Sequence, residues 1–383
     1  MITVIHEHYN GFDYKRVLDF KGELPFDQDY FCNYTFSKKK EVVECFRIHT
    51  DIDQKVHAVS NSYFIGVDWI IEGRHAIYVE PKLNKTASET NYLKMLFAAL
   101  KHPDISTHTE DLFEIKWDKP SILIQQQQDL LTPLLVVQFL KIVQHIVRKG
   151  LKKSYYRVEH NLHGKIKGKI NVALTVKHNA LKNKLLSTYC VFDEFGENGL
   201  ENRLLKKALV FVQRYLPTLK NLNAEGYTKN VFNYINPAFE SVTEEVSLHE
   251  VKHTKTNVFY KEYKEAIQLA KLILKRFGYN IKNVNNADTI STPPFWIDMS
   301  KLFELYVLGQ LKEKYGNEIL YGNKEAKGNY GLPDFLLIKT GEKTIIDSKY
   351  KPIYQDNKYD IENLRQLSGY GRDMEVLNKL GFT

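Results

Sequence analysis

Cysteine is scarce in this sequence, and its few copies form no recognisable metal or disulfide pattern. Cys32, Cys45 and Cys190 are scattered along 383 residues. They contain no Cys-x-x-Cys pair, and their odd number does not suggest a disulfide framework. We therefore expect all three to be reduced and structural.

Long hydrophobic runs are also missing. No stretch approaches the roughly 20 apolar residues that a bilayer-spanning helix needs. The first residues, MITVIHEHYNGFDYKR, lack the apolar core of a secretion signal. Hydrophobic residues still make up 43% of the sequence and aromatic residues 13%, as in a protein with a buried core. These features predict a folded cytoplasmic protein with no membrane partner.

Several catalytic motifs are absent. The sequence contains no GxxxxGK[ST], so we do not expect this chain to bind a nucleotide through a P-loop. It also has no HExxH zinc motif and no GxSxG nucleophile turn. Any nucleotide-driven motor must therefore be supplied by another protein.

Local patterns divide the chain into three regions, and we predict a multidomain fold of the α+β or α/β class. Residues 1–118 are rich in strand-forming residues, and two such runs flank Glu72-Gly73-Arg74 as in a hairpin. Residues 119–285 are predicted to be mostly helical. Residues 286–383 are predicted to form an α/β domain.

Helical periodicity is the evidence for the middle region. Residues 130–147 are strongly apolar, and apolar residues recur at helical spacing from Leu200 to Leu216. Residues 260–277 repeat this pattern up to Gly278, a suitable C-terminal cap. The loop at 283–294, NVNNADTISTPP, predicts the last domain boundary.

Positive charge is concentrated in one part of the middle region. The whole chain has a net charge of +8, and residues 148–187 contain eleven Lys or Arg against a single acid, Glu159. Tyrosines and histidines are interleaved, as in surfaces that bind a phosphate backbone. We name as DNA-binding candidates Arg157 and the lysine cluster, defined as Lys165, Lys167 and Lys169. A solvated face, or a surface for an acidic protein partner, is the alternative.

The last hundred residues are predicted to contain two helices around short strands. The helices are expected at 298–315 and 360–379, and the strands at 319–321, 335–339 and 344–350. The apolar runs in the last two strands predict central strands covered on both faces, joined by a turn at 340–342.

Charged residues stand at the ends of these apolar runs. Asp347 and Lys349 are two apart, so on a strand they would share a face. Antiparallel pairing would bring Asp334 beside Asp347. Two carboxylates can hold Mg²⁺ together with waters and substrate phosphate, while a lysine stabilises charge on the phosphate. This pattern predicts a phosphodiester hydrolase, and a simple ion pair of Lys349 with one aspartate is the structural alternative.

Residues on the two flanking helices extend this cluster. Glu304 could add a third carboxylate, although a helical glutamate is commonly a solvated surface residue. Gln366 and Tyr370 stand four residues apart, on one face of the last helix.

The segments LPDF and IIDSKYK resemble the PD-(D/E)xK nuclease motif, and QLSGY is similar to the Gln-x-x-x-Tyr element of its RecB-like branch. In order along the chain, GVDWIIEGRHAIYVEPKL, YLKMLFAAL, HGKIKGKI, ENRLLKKAL and FWIDMSKLFELYV resemble McrC, the nuclease subunit of McrBC-type, modification-dependent restriction systems.

This resemblance implies a restriction-endonuclease-like domain that cleaves double-stranded, modified DNA with Mg²⁺. Asp334, Asp347 and Lys349 become catalytic, supported by Glu304 and Gln366, and the two aspartates bind the metal. The resemblance also implies a partner, an McrB-like AAA+ GTPase ring that the N-terminal domain contacts and stimulates.

Two alternatives remain open at this point. One is a non-enzymatic adaptor of the ring with a decayed nuclease end, and the other is a free-standing RecB-like repair nuclease. Related nucleases continue into a further strand where this sequence stops, at residues 381–383, which leaves open a C-terminal truncation.

Overall fold

A computed structural model describes residues 2–7, 30–37, 42–51, 56–81, 92–100, 105–108, 111–125, 129–218, 225–247, 250–251, 261–276, 289–350 and 360–382. The strands are β1 Ile2–His6, β2 Tyr30–Ser37, β3 Val42–Asp51, β4 Val56–Asn61, β5 Phe64–Ile71, β6 His75–Glu80, β7 Phe113–Ile115, β8 Ile122–Gln125, β9 Ser154–His163, β10 Lys169–Ile170, β11 Ser187–Gly196, β12 Thr289–Thr292, β13 Phe295–Asp298, β14 Ile319–Tyr321, β15 Phe335–Lys339 and β16 Glu342–Ile346. The α-helices are α1 Tyr92–Leu100, α2 Leu131–Lys149, α3 Val172–His178, α4 Leu200–Tyr215, α5 Glu225–Ile235, α6 Lys261–Arg276, α7 Met299–Tyr315, α8 Gly322–Glu325, α9 Ile361–Tyr370 and α10 Met374–Lys379.

The described residues group into two compact units. One is drawn from residues 1–131 and 288–383, and the other from 132–220 and 225–287. In the first unit, one sheet has the strand order β1-β6-β5-β13-β7. This sheet therefore includes β13, from the region predicted to form a separate third domain. The three-domain division at 118 and 285 stays a prediction.

Close pairing of β13 with β5 depends on one glycine. The hairpin predicted at residues 72–74 is confirmed, because β5 and β6 pair as antiparallel strands around it. On its other edge β5 pairs with β13, and Trp296 lies opposite Gly66. A Cβ on Gly66 would lie 2.0 Å from the Phe295 carbonyl oxygen, so a larger residue would separate the two strands. The Trp296 ring stacks on Phe46, which ties this sheet to the β2-β3-β4 sheet.

In the second unit the predicted helices are confirmed. The middle region is not helical along its whole length, however. Helices α2, α4 and α6 coincide with the three periodic stretches, while Gly278 lies outside the described residues. The basic part of this region, however, forms a sheet with the strand order β10-β11-β9. Side chains along β9 alternate between partly buried and exposed, so little of this segment enters a core and its apolar pattern is weak.

Helix α2 is long and apolar enough, by length and composition alone, to cross a membrane. Among the described helices it is the one that passes this test, yet 61% of its apolar window is buried inside the protein. Burial of that kind is what a core helix of a folded unit shows.

The C-terminal part of the first unit contains a sheet with the order β14-β15-β16. Strand β15 is central and buried. The expectation that residues 344–346 also form a covered central strand is wrong, because β16 lies at the edge of the described sheet and is largely exposed. One face packs on α10 through a core of Ala326, Leu336, Val376 and Leu380.

Other boundaries predicted for this part also differ from the structure. Residues 289–292 of the predicted loop form β12, which pairs with β8. The helix predicted at 360–379 is two helices, because the chain turns after Tyr370 and Asp373 caps the start of α10. Helix α7 is confirmed, and Asp298 caps its first turn.

Candidate active site

The β15–β16 hairpin brings the two predicted aspartates to the same end of a sheet. Phe335 pairs with Ile346 in antiparallel register, so Asp334 and Asp347 leave the sheet side by side. The turn contains Gly341 with φ +80°, a backbone conformation that glycine adopts without strain. The strand pairing predicted from the sequence is therefore confirmed.

Asp334 is a partly buried carboxylate held by Ser348. Its Oδ2 accepts hydrogen bonds from the Ser348 backbone N–H at 2.6 Å and from the Ser348 hydroxyl at 2.7 Å. Burial, followed by the charge of Glu304, raises the pKa of Asp334 to about 6, while the Ser348 hydrogen bonds oppose that rise and Asp347 adds to it. A cation beside this carboxylate would favour its ionised form.

Asp347 and Lys349 form an ion pair next to Asp334. Lys349 Nζ lies 2.5 Å from Asp347 Oδ2, and the Asp347 side chain is 5% exposed. The prediction that their strand runs to Tyr350 is wrong, because β16 ends at Ile346 and both residues lie in an irregular segment. The structural alternative, a lysine–aspartate ion pair, is thus present. The pair still places both signs of charge near Asp334, whose pKa responds to Asp347.

Glu304 reaches the same end of the sheet from α7, and its side chain is only 23% exposed rather than fully solvated. Lys301, one turn earlier, donates to Glu304 Oε1 at 3.1 Å and to the Tyr321 hydroxyl oxygen at 2.6 Å. Burial, together with the charge of Glu304 and a hydrogen bond to it, raises the pKa of Tyr321. The charge of Asp334 also contributes, which places Tyr321 within electrostatic range of both carboxylates.

Gln366 and Tyr370 lie one turn apart on α9, as predicted, and Gln366 Nε2 donates to the Tyr370 hydroxyl at 2.6 Å. Burial raises the pKa of Tyr370, and the charges of Asp347, Lys349 and Asp334 also act on it. Helix α9 therefore lies close enough to the cluster for the charges of the cluster to affect the Tyr370 side chain.

Three residues near the cluster were not predicted from the sequence. Ser348 stands between the two residues of the motif, and its hydroxyl is the kind of donor that holds a carboxylate. Lys301 stands three residues before Glu304, a spacing that puts both on one helix face. No local sequence pattern identifies Tyr321, because its contacts with Lys301 and Glu304 form only when α7 packs beside β14.

The carboxylates can be tested against the metal they are predicted to hold. Within the described part of the chain, no group of three or more His, Cys, Asp or Glu side chains is arranged to hold a metal ion. Asp334 and Asp347 are two adjacent carboxylates, and Mg²⁺ is commonly held by one or two carboxylates plus waters and substrate oxygens. The donor chemistry of this pair therefore fits a hard divalent cation.

The predicted DNA-binding residues lie on the β10-β11-β9 sheet and its connections. Arg157 and all three lysines of the lysine cluster are exposed. Lys167 Nζ lies 2.9 Å from Glu194 Oε1 and 4.1 Å from the centre of the Phe192 ring, so it is partly neutralised. Arg157 stands opposite Asp193 in the strand register.

The same basic segment exposes many large apolar side chains. Their exposed fractions reach 76% for Tyr155, 77% for Leu181 and 80% for Leu185. The others are Ile166, Ile170, Val172, Val176, Leu186 and Phe195. Exposed apolar side chains of this kind are concentrated in one stretch of sequence, as is typical of a segment that binds another protein. The segment therefore combines features of both predicted partners.

The fold and the cluster define a class of protein. It is a mixed α/β protein in which a small antiparallel sheet ends in two aspartates and a lysine, with glutamate and glutamine side chains on adjacent helices. A family model described as the McrBC 5-methylcytosine restriction system component matches residues 69–378. This match covers well over half of the chain and contains every residue of the cluster. The chain therefore belongs to the McrBC family.

Two solved structures are similar to this chain, both from Thermococcus gammatolerans. One is a half-complex from a tetradecameric assembly of McrB AAA+ hexamers with bound McrC, at 16% identity, 97% of this chain, 85% of that chain and a TM-score of 0.36. The other is the cryo-EM structure of the McrBC complex, at 16% identity, 67% of this chain, 68% of that chain and a TM-score of 0.29. A comparison with curated proteins finds no match.

Proposed function

We propose that this chain is the Mg²⁺-dependent endonuclease subunit of a McrBC-like restriction system. It cleaves methylated foreign DNA together with an AAA+ GTPase ring, whose nucleotide hydrolysis it stimulates. The observation that carries the proposal is the placement of Asp334, Asp347 and Lys349 at one end of a sheet, in a chain that belongs to the McrBC family.

Each residue of the cluster has a role in phosphodiester hydrolysis. Asp334 and Asp347 would hold Mg²⁺, which supplies a Lewis acid for the phosphate and lowers the pKa of a bound water. Ser348 keeps Asp334 oriented through two hydrogen bonds to a single carboxylate oxygen. Lys349 stabilises the negative charge that develops on the phosphate. Glu304 and Gln366 support this arrangement from α7 and α9.

A protein partner is supported by the surface of the second unit. The lysine cluster and the exposed apolar side chains occupy one short segment, residues 154–196. Phosphate binding explains the lysines but not the exposed aliphatic side chains, which lose water only against an apolar surface. We therefore propose that this segment contributes to binding of the AAA+ ring, in addition to the predicted role of residues 1–118.

The experiment compares the wild type with Asp347→Asn in cleavage of methylated DNA, with the AAA+ partner, nucleotide and Mg²⁺ present. We expect the wild-type chain alone to cut poorly, the complete system to cut, and Asp347→Asn to reduce cutting at least a hundredfold. Glu342→Gln, an exposed acid at the start of β16, the strand that precedes Asp347, is the matched control. Undiminished cutting by Asp347→Asn would exclude the assigned site.

The same reactions separate the alternative functions. Asp347→Asn should still stimulate hydrolysis by the partner, because the cluster does not take part in nucleotide chemistry. Stimulation without any cleavage by the wild type would favour a non-enzymatic adaptor. Robust cleavage by the isolated chain would favour a free-standing repair nuclease.

A further inference from the structure

A buried carboxylate lies far from the predicted motif in sequence but contacts it in the structure. Glu7, next to the end of β1, is 2% exposed. Its Oε1 accepts a hydrogen bond from the Tyr350 hydroxyl at 2.6 Å, across 343 positions of sequence. Burying a carboxylate is costly unless strong hydrogen bonds compensate it. The hydrogen bond from Tyr350 therefore offsets part of the cost of burying Glu7 in this fold.

The N-terminal sheet fixes the backbone of Glu7. Strand β1 pairs in parallel with β6, and the Glu7 N–H donates to the Glu80 carbonyl at 3.0 Å, which holds the chain just beyond the strand. The preceding residue is held as well, because Asn61 Nδ2 donates to the His6 carbonyl at 3.0 Å. The acceptor that meets Tyr350 is thus attached to a paired strand.

The segment that carries Lys349 is not held by strand pairing, although Ser348 within it donates two hydrogen bonds to Asp334. Strand β16 ends at Ile346, and residues 347–350 form no further strand. The Tyr350 ring contacts Phe303 of α7, with ring centres 5.8 Å apart. Burial, followed by the charge of Glu7, raises the pKa of Tyr350, so its hydroxyl remains a proton donor at physiological pH.

We propose that Glu7 and Tyr350 are positioning residues for the nuclease reaction, because their hydrogen bond anchors the irregular Asp347–Tyr350 segment to the N-terminal sheet. The inference rests on the proposed function. It assigns the sheet a role in catalysis: Lys349 and Asp347 are held in place by a strand at the opposite end of the sequence. A small displacement of a catalytic group costs up to about a hundredfold in rate.

The test uses the full chain with its AAA+ partner, nucleotide, Mg²⁺ and methylated DNA. We expect Tyr350→Phe to lower kcat by roughly tenfold to a hundredfold with little change in KM. Glu7→Gln retains an acceptor oxygen for the hydroxyl, so it should keep most of the activity. Glu7→Ala should lose as much as Tyr350→Phe, and the double variant no more than either. Tyr306→Phe, which removes a tyrosine hydroxyl from the neighbouring helix α7, is the control.

Hydrogen exchange on the isolated chain gives a readout that needs neither metal nor cleavage. The amides of residues 347–350 should exchange faster in Tyr350→Phe and Glu7→Ala than in the wild type or Glu7→Gln, with β14 unchanged. Unchanged exchange in Tyr350→Phe overturns the anchor, and so does faster exchange with wild-type kcat. If the wild type does not cleave DNA, the proposed nuclease function is wrong. The exchange rates still test whether the Glu7–Tyr350 hydrogen bond anchors residues 347–350.

Discussion

Replacing Asp334 by asparagine should make the protein more stable while abolishing cleavage. The pKa of this carboxyl rises from 3.8 to about 6 on folding, so ionised Asp334 is less favourable in the folded protein than in the unfolded chain. About two pKa units correspond to roughly 3 kcal/mol. Protonated Asp334 contributes its full stabilisation of the fold below pH 3.8, and this contribution is lost as the pH rises through about 6. Asparagine is neutral at every pH and can still accept the Ser348 hydrogen bonds.

Urea unfolding of both proteins between pH 4 and pH 8, with chelator present, measures this effect. We expect the free energy of unfolding of Asp334→Asn to exceed that of the wild type by up to about 3 kcal/mol at pH 7.5, with the difference shrinking towards pH 4. Adding Mg²⁺ should stabilise the wild type more than the variant, because the cation offsets the repulsion. A destabilised Asp334→Asn, or a difference independent of pH, would refute the reasoning.

Asp373 is the matched control, because its pKa moves in the opposite direction. Burial alone would raise the pKa of Asp373, but hydrogen bonds from the backbone N–H groups of Tyr330, Asn329, Glu375 and Val376 lower it overall. Its ionised form therefore stabilises the fold above its unfolded pKa, and that stability is lost as the pH falls. We expect Asp373→Asn to destabilise the protein at pH 7.5 and to lose that effect at low pH.

The lysine cluster separates the two roles proposed for the basic sheet. Changing all three of its lysines to alanine should weaken DNA binding similarly for every sequence and flatten its salt dependence by at most about 0.9 per lost contact; unchanged DNA binding with loss of the AAA+ partner would make it a protein interface. Gly331→Ala should destabilise the protein by about 1 to 3 kcal/mol in thermal unfolding, because a Cβ would lie 2.4 Å from the Tyr370 ring. Gly369→Ala, where nothing lies within 4 Å, is its control and should be neutral or stabilising; equal melting temperatures for the two variants would contradict the packing argument.

Local sequence patterns were sufficient for several elements and for the proximity of the central residues of the candidate site. The apolar period from Leu200 to Leu216 predicts α4, because one buried helix face repeats every 3.6 residues. The hairpin at residues 72–74 and the pairing of β15 with β16 follow from short turns between strand-forming runs. Asp334, Asp347 and Lys349 could be selected from sequence because a short hairpin fixes their proximity locally.

Tertiary structure alone decided the features that depend on distant residues or on weak local patterns. The basic segment forms β9, β10 and β11 although its side chains are mostly exposed, so hydrophobic periodicity carried little information there. Strand β13 joins a sheet built mainly from the N-terminal region, and the two strands can approach because Gly66 has no Cβ to collide with the Phe295 carbonyl. The contact between Glu7 and Tyr350 arises only when the N-terminal sheet and the end of the β15–β16 hairpin pack together. No local sequence pattern predicts this contact, because residues 343 positions apart meet only in the folded protein.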